Sequence, residues 1–120
     1  MRILICGDRK WANRELVCKV LGEYLAAGPI ECVIEGGAPG ADTYALQIAQ
    51  SKGIRVSHYP ADWLTYGRAA GPIRNKKMLT EGKPTLVLAF HNNIETSRGT
   101  KSMVELARRA GVPVRIISEE

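Results

Sequence analysis

The stretch GPIRNKKML, residues 71–79, sets Arg74, Asn75, Lys76 and Lys77 directly behind Gly71 and Pro72. Glycine and proline ahead of helix formers read as a helix start. Such a start already carries partial positive charge from its unpaired N–H groups. Cations placed there crowd like charge, and a bound phosphate would relieve the crowding. Arg74 suits that task, because a guanidinium pairs with phosphate in bidentate fashion. Lys76 and Lys77 read more readily as a solvated basic face.

Three other stretches combine glycine with polar or charged residues, two of them with an arginine. GDRKW, residues 7–11, offers Gly7, Asp8 and Arg9. Arg9 has the reach for a phosphate, and Trp11 reads as a lid over the core or as packing under a base. EGGAPGAD, residues 35–42, is a glycine-rich turn with Gly36, Gly37 and Gly40. Glycines let a backbone approach a phosphate closely, and the helix that follows offers free N–H groups. Glu35 and Asp42 bracket that turn as carboxylates, with Asp42 also readable as an ordinary first-turn residue. SRGT, residues 97–100, adds Arg98, Gly99 and Thr100, with Thr100 as the expected helix cap. Asp62, Trp63 and Tyr66 lie in PADWLTYGRAAGPIRN, residues 60–75, and are candidates for ribose and base contact or for fixing the loop. His58 and His91 fall at or just after strands, where a lone histidine is usually structural.

The elements that must position these residues alternate along the whole chain. Strand-like runs cover 2–6, 32–34, 54–59, 84–90 and 113–117. Helical periodicity covers 14–26, 41–52, 72–81 and 100–110, with Asn13 as an N-cap and Gly28-Pro29 as a stop. The strand runs are nearly continuous in apolar residues, as in strands buried on both faces. Alternation of this kind predicts an α/β fold: a single Rossmann-like three-layer domain over 1–120, with helices on both faces of a five-stranded parallel sheet. Right-handed crossovers favour the order 3-2-1-4-5. The four chemistry-bearing stretches then all follow strands, at the carboxyl edge where open α/β sheets bind ligands.

With 120 residues and 45% hydrophobic content, the chain is sized for one core. Its apolar runs are of strand length, short of the roughly 18 residues that a membrane span needs. Met1-Arg2 leads straight into a strand, with no signal-peptide pattern, so a cytoplasmic protein is expected. Cys6, Cys18 and Cys32 are odd in number and lack metal-type spacing, which predicts reduced core thiols and no metal. No cofactor is expected. A formal charge of +5 is compatible with anionic ligands, nucleic acid included.

Taken together, GDRKW, EGGAPGAD, PADWLTYGRAAGPIRNKKML and SRGTKSM resemble the YspA, cpYpsA-related group of the SLOG superfamily, over residues 2–117. That resemblance implies a Rossmann-like domain that binds a nucleotide or nucleotide-derived ligand. Lonely Guy phosphoribohydrolases of the same superfamily carry R-K-x-x-M, to which RNKKM at 74–78 is similar, so Arg74 matches their active-site arginine. Their PGGxGTxxE motif is retained here as Gly99-Thr100 only. Lys101, Ser102 and Met103 follow, without the glutamate. Glu35, Asp42 and Asp62 are possible substitute carboxylates, though none matches by position.

Three functional readings follow. The leading one is a sensor or sequestering domain for a nucleotide-derived molecule. The second is an N-glycosidic hydrolase on nucleotides, which needs a carboxylate beside the sugar. The third is single-stranded nucleic-acid binding of the DprA kind, which the count of seven aromatics disfavours. A homo-oligomer is compatible with each.

Overall fold

The structure, a computed structural model, describes residues 1–119. Five strands are present: β1 (Arg2–Gly7), β2 (Cys32–Glu35), β3 (Val56–His58), β4 (Leu86–Phe90) and β5 (Val114–Ile117). They pair in parallel in the order β3-β2-β1-β4-β5. The helices between them are α1 (Arg14–Ala27), α2 (Ala41–Ser51), α3 (Trp63–Tyr66), α4 (Ala70–Gly82) and α5 (Arg98–Arg109).

The strand alternation explains the continuous apolar runs. Ile3 and Ile5 of β1 turn to one face, where Val17, Val20 and Leu21 of α1 and Ala45, Ile48 and Ala49 of α2 cover them. Leu4 and Cys6 turn to the other face, against Met78 of α4 and Met103, Val104 and Ala107 of α5. Both faces of β1 are thus dry from Ile3 to Cys6, and its one charged residue, Arg2, sits at the partly exposed start of the strand. Trp11 belongs to the core: it packs edge-on against Phe90 and donates its indole N–H to the Asn13 carbonyl at 3.0 Å.

Local chemistry sets the helix ends. Asn13 caps α1 by accepting the Leu16 N–H at 3.1 Å, and Gly28 ends it. α5 starts two residues before its expected position. Ser97, not Thr100, is its cap, and Thr100 donates its N–H to the Ser97 hydroxyl at 3.2 Å. α4 also starts two residues early, because the chain enters it from a 3-10 turn at Gly67–Ala69, itself continuous with α3. β3 is shorter than the expected 54–59, since Ile54 gives its N–H to Ala49 at the end of α2. The connections after β3 and β4 hold short helical turns, at Trp63–Tyr66 with Gly67–Ala69 and at Ile94–Thr96. Among the described residues, no helix is long and apolar enough to cross a membrane.

Candidate functional site

The strand order reverses between β1 and β4. Gly7 pairs with Phe90 at that point, and a Cβ on Gly7 would lie 2.4 Å from the Phe90 carbonyl oxygen, so only glycine lets the two strand ends close together. Beyond this junction lies a cavity of about 530 Å³ between the β1 and β2 loops, α4 and the start of α5. A side chamber of about 250 Å³ opens over Gly36, Gly37, Pro39, Pro60 and Ala61. Arg9, Ala38, Trp63 and Arg74 belong to the walls of both.

Arg74 is the hub. From the second turn of α4 it reaches across to β2, donating to the Gly36 carbonyl. Its Nε donates to Asn75 Oδ1 at 2.9 Å, and Asn75 Nδ2 continues to the Gly99 carbonyl at 3.4 Å. One chain of bonds therefore joins the glycine turn, α4 and α5. Gly36 must be glycine for this, since a Cβ would sit 2.4 Å from the guanidinium. Burial lowers the Arg74 pKa, an effect partly offset by Asp42 and Glu35.

The glycine turn spends its donors within the protein. The Gly36 N–H goes to Asp42 Oδ2 at 2.9 Å, and the Ala38 N–H reaches the same oxygen at 3.4 Å. Gly37 donates to Glu35 Oε2 at 2.6 Å, while Glu35 Oε1 meets Nδ1 of His58. The phosphate cradle expected of EGGAPGAD is thus already filled by two carboxylates of the chain. Among the described residues, both hydrogen bonds to the Asp42 carboxylate end on Oδ2, and Asp42 lines the cavity. Burial, reinforced by the neighbouring Glu35, pushes the Asp42 pKa from 3.8 up to about 6, against the pull of the Gly36 N–H and Arg74. Cys6, on the cavity floor, has its thiol pKa pushed up by burial and by Asp42, which keeps it protonated and poorly nucleophilic.

The helix start that faces the cavity is that of α5. As first-turn residues, Arg98 and Gly99 leave their N–H groups without intrahelical partners. No acidic residue occupies this first turn, and Ser97, Arg98, Gly99 and Thr100 all line the cavity. A Cβ on Gly99 would meet nothing within 4 Å.

Of the residues singled out from sequence, Gly7, Arg9, Asp42, Trp63, Gly71, Arg74, Asn75, Arg98, Gly99 and Thr100 line the main cavity, and Gly36 and Gly37 the side chamber. Four stand apart. Asp8 accepts the Lys10 N–H at 2.9 Å and faces His91 Nε2 at 3.9 Å. Gly40 precedes α2 at φ +82°, tight against the Asp8 carbonyl. Asp62 caps α3 through the Thr65 N–H at 3.1 Å. Glu35 is fully buried beneath the turn. Gly71 and Pro72 do not open the helix, because α4 begins at Ala70, whose N–H donates to the Gly67 carbonyl in the preceding 3-10 turn.

Sequence reasoning passed over Arg68, Met78 and Ser102, which also line the cavity. Met78 lies four residues after Arg74 and so shares its helical face, a spacing that could have revealed it. Arg68 follows Gly67, whose φ of +54° turns the chain between α3 and α4. Nothing in the local sequence points Arg68 inward.

The chain is similar to known proteins on two independent grounds. Residues 1–66 match the model of the YspA, cpYpsA-related SLOG family. A relative from Mycobacterium phage D29, called Gene 61 protein, is 36% identical over 119 residues, covering 94% of this chain and 93% of its own. The family match ends with α3, whereas the similarity to the phage protein covers 94% of the chain. With five parallel strands in the order 3-2-1-4-5 carrying both matches, the chain belongs to the YspA, cpYpsA-related SLOG family.

Proposed function

We propose that the protein binds a nucleotide or nucleotide-derived small molecule at the carboxyl edge of its sheet and acts as a sensor or sequestering domain. The observation that carries this reading is the cavity's charge pattern. Among the described residues, Arg9, Arg68, Arg74 and Arg98 line a space together with one carboxylate, Asp42, whose hydrogen bonds all end on Oδ2. A phosphate fits at the start of α5, where N–H groups and Arg98 converge and Arg74 stands opposite. Asp42 Oδ1 is an acceptor for a ribose hydroxyl. Met78, Met103 and the half-exposed Trp63 give a base apolar surface to lie on. The whole chain, 1–120, acts as the binding unit in this reading. Mass spectrometry of small molecules released from purified, denatured protein tests it: a phosphorylated nucleoside is the expected finding. Failure of every common nucleoside phosphate to bind in calorimetry would overturn it.

The hydrolase reading keeps one supporting observation. Asp42 is a carboxyl with its pKa raised to about 6, inside the cavity and near the Arg74 guanidinium. Glu35 cannot take that part, because both its oxygens are bound beneath the turn. Where Lonely Guy enzymes place a glutamate after Gly-Thr, this chain presents Ser102 to the cavity and buries Met103. Glycosidic cleavage through Asp42 would therefore proceed without the usual second carboxylate.

A further inference from the structure

α3 and the 3-10 turn behind it have no anchor in the core. Every residue from Asp62 to Ala69 is exposed. The helices α1, α2, α4 and α5 each bury side chains, whereas neither α3 nor the turn buries any. Their hydrogen bonds close on the segment itself. Asp62 takes the Thr65 N–H on its side chain and the Tyr66 N–H on its carbonyl, and Gly67 donates to Trp63. Ala70, donating to the Gly67 carbonyl, ties the turn to α4. Among the described residues, no side-chain hydrogen bond or ion pair joins Asp62–Ala69 to the sheet. A four-residue helix is not held by its own bonds, and a segment without buried side chains opens locally at little free-energy cost.

Yet the composition is not that of a solvent loop. Leu64 is wholly exposed, and Trp63 and Tyr66 are about half-exposed. Covering apolar surface of this kind is favourable. The segment also reaches the cavity: Trp63 borders both chambers, and Arg68 lines the larger one. The indole lies on the first turn of α4, where a Cβ on Gly71 would come within 3.5 Å of it. Gly67 supplies a pivot. Its φ of +54° and ψ of −130° suit glycine, and a Cβ there would meet nothing within 4 Å. Beyond the pivot, the buried Ala70 fixes the end of the segment. From this we infer that Asp62–Ala69 is a lid, an inference that rests on the nucleotide reading above. The segment folds down over the bound nucleotide and closes both chambers with Trp63. Its position then reports whether the site is filled, which is what a sensor requires.

Hydrogen exchange on the intact chain tests this, free and saturated with the tightest binder among the common nucleoside mono-, di- and triphosphates. In the free protein the Thr65, Tyr66 and Gly67 amides should exchange within about tenfold of the rate of an unstructured chain. Bound nucleotide should slow them by roughly tenfold or more, as closure of a lid requires. Contact with the Trp63 side chain alone would leave those three amides as they were. Leu64→Gly touches neither chamber and removes no buried group, so its urea midpoint should equal that of the parent. It should nevertheless bind nucleotide about threefold more weakly or worse, because more backbone freedom is lost on closing. Slow exchange of the three amides in the free protein overturns the lid, as does exchange that nucleotide leaves unaltered. So does full affinity in Leu64→Gly. Each of these results leaves the nucleotide reading standing. Failure of every one of these nucleotides to bind overturns both.

Discussion

Asp42→Asn should make the protein more stable at neutral pH and leave it nearly unchanged in acid. The folded state raises the Asp42 pKa from 3.8 to about 6. Between those two values the folded chain holds a proton that the unfolded chain has released. Stability therefore falls as pH rises through this window. The shift is roughly two units, each worth 1.36 kcal/mol, so the ionised carboxylate costs about 3 kcal/mol above the window. Asparagine does not titrate, and its amide oxygen can still accept the Gly36 N–H. That bond loses its charge assistance, which weakens it by about half. Urea unfolding of both proteins from pH 3.5 to 7.5 measures the effect. The stability of the variant minus that of the parent should rise by about 2–3 kcal/mol across the range. Titrations shared by the two proteins cancel in this difference. A flat difference would refute the argument, and a falling one would mean that the attraction of Arg74 outweighs burial. The stability given up at Asp42 is consistent with a ligand-facing task, so the same variant should bind nucleotide more weakly despite its firmer fold.

Other substitutions separate binding from folding. Arg74→Ala should weaken nucleoside-phosphate binding by about 1.5–3 kcal/mol in calorimetry, the range for hydrogen bonds to charged groups, and unchanged affinity would remove Arg74 from the site. Gly40→Ala should destabilise by about 1–3 kcal/mol or more, because φ is +82° there and a Cβ would press on the Asp8 carbonyl. A denaturation midpoint equal to that of the parent would contradict this. Gly99→Ala should instead match or exceed the parent in stability, since it sits in α5 with open space around it, yet lose affinity because its new methyl enters the anion site. Long incubation with AMP should release little or no free base by chromatography. Robust turnover that disappears in Asp42→Asn would establish the hydrolase reading in place of the sensor.

The architecture was legible in the sequence because it rests on local, periodic signals. β1 and β4 are dry on both faces and therefore read as unbroken apolar runs, while α1 shows its buried stripe and its Asn13 cap directly. The strand order followed from the handedness of the crossovers. The concentration of functional stretches at one edge followed from parallel strands, whose carboxyl ends all point the same way. Which groups remain free at that edge was a tertiary matter. Asp42 folds back on Gly36 and Glu35 on Gly37 within the same motif, while Glu35 is tied across the fold to His58, and these bonds occupy the donors of the glycine turn. Arg74 proved to be tied to a carbonyl 38 residues away rather than standing at an open helix start. The motif sequences carry no record of these pairings. A hydrogen-bond donor looks the same in sequence whether a phosphate or the protein's own carboxylate will take it, and only packing brings the competing acceptor within reach.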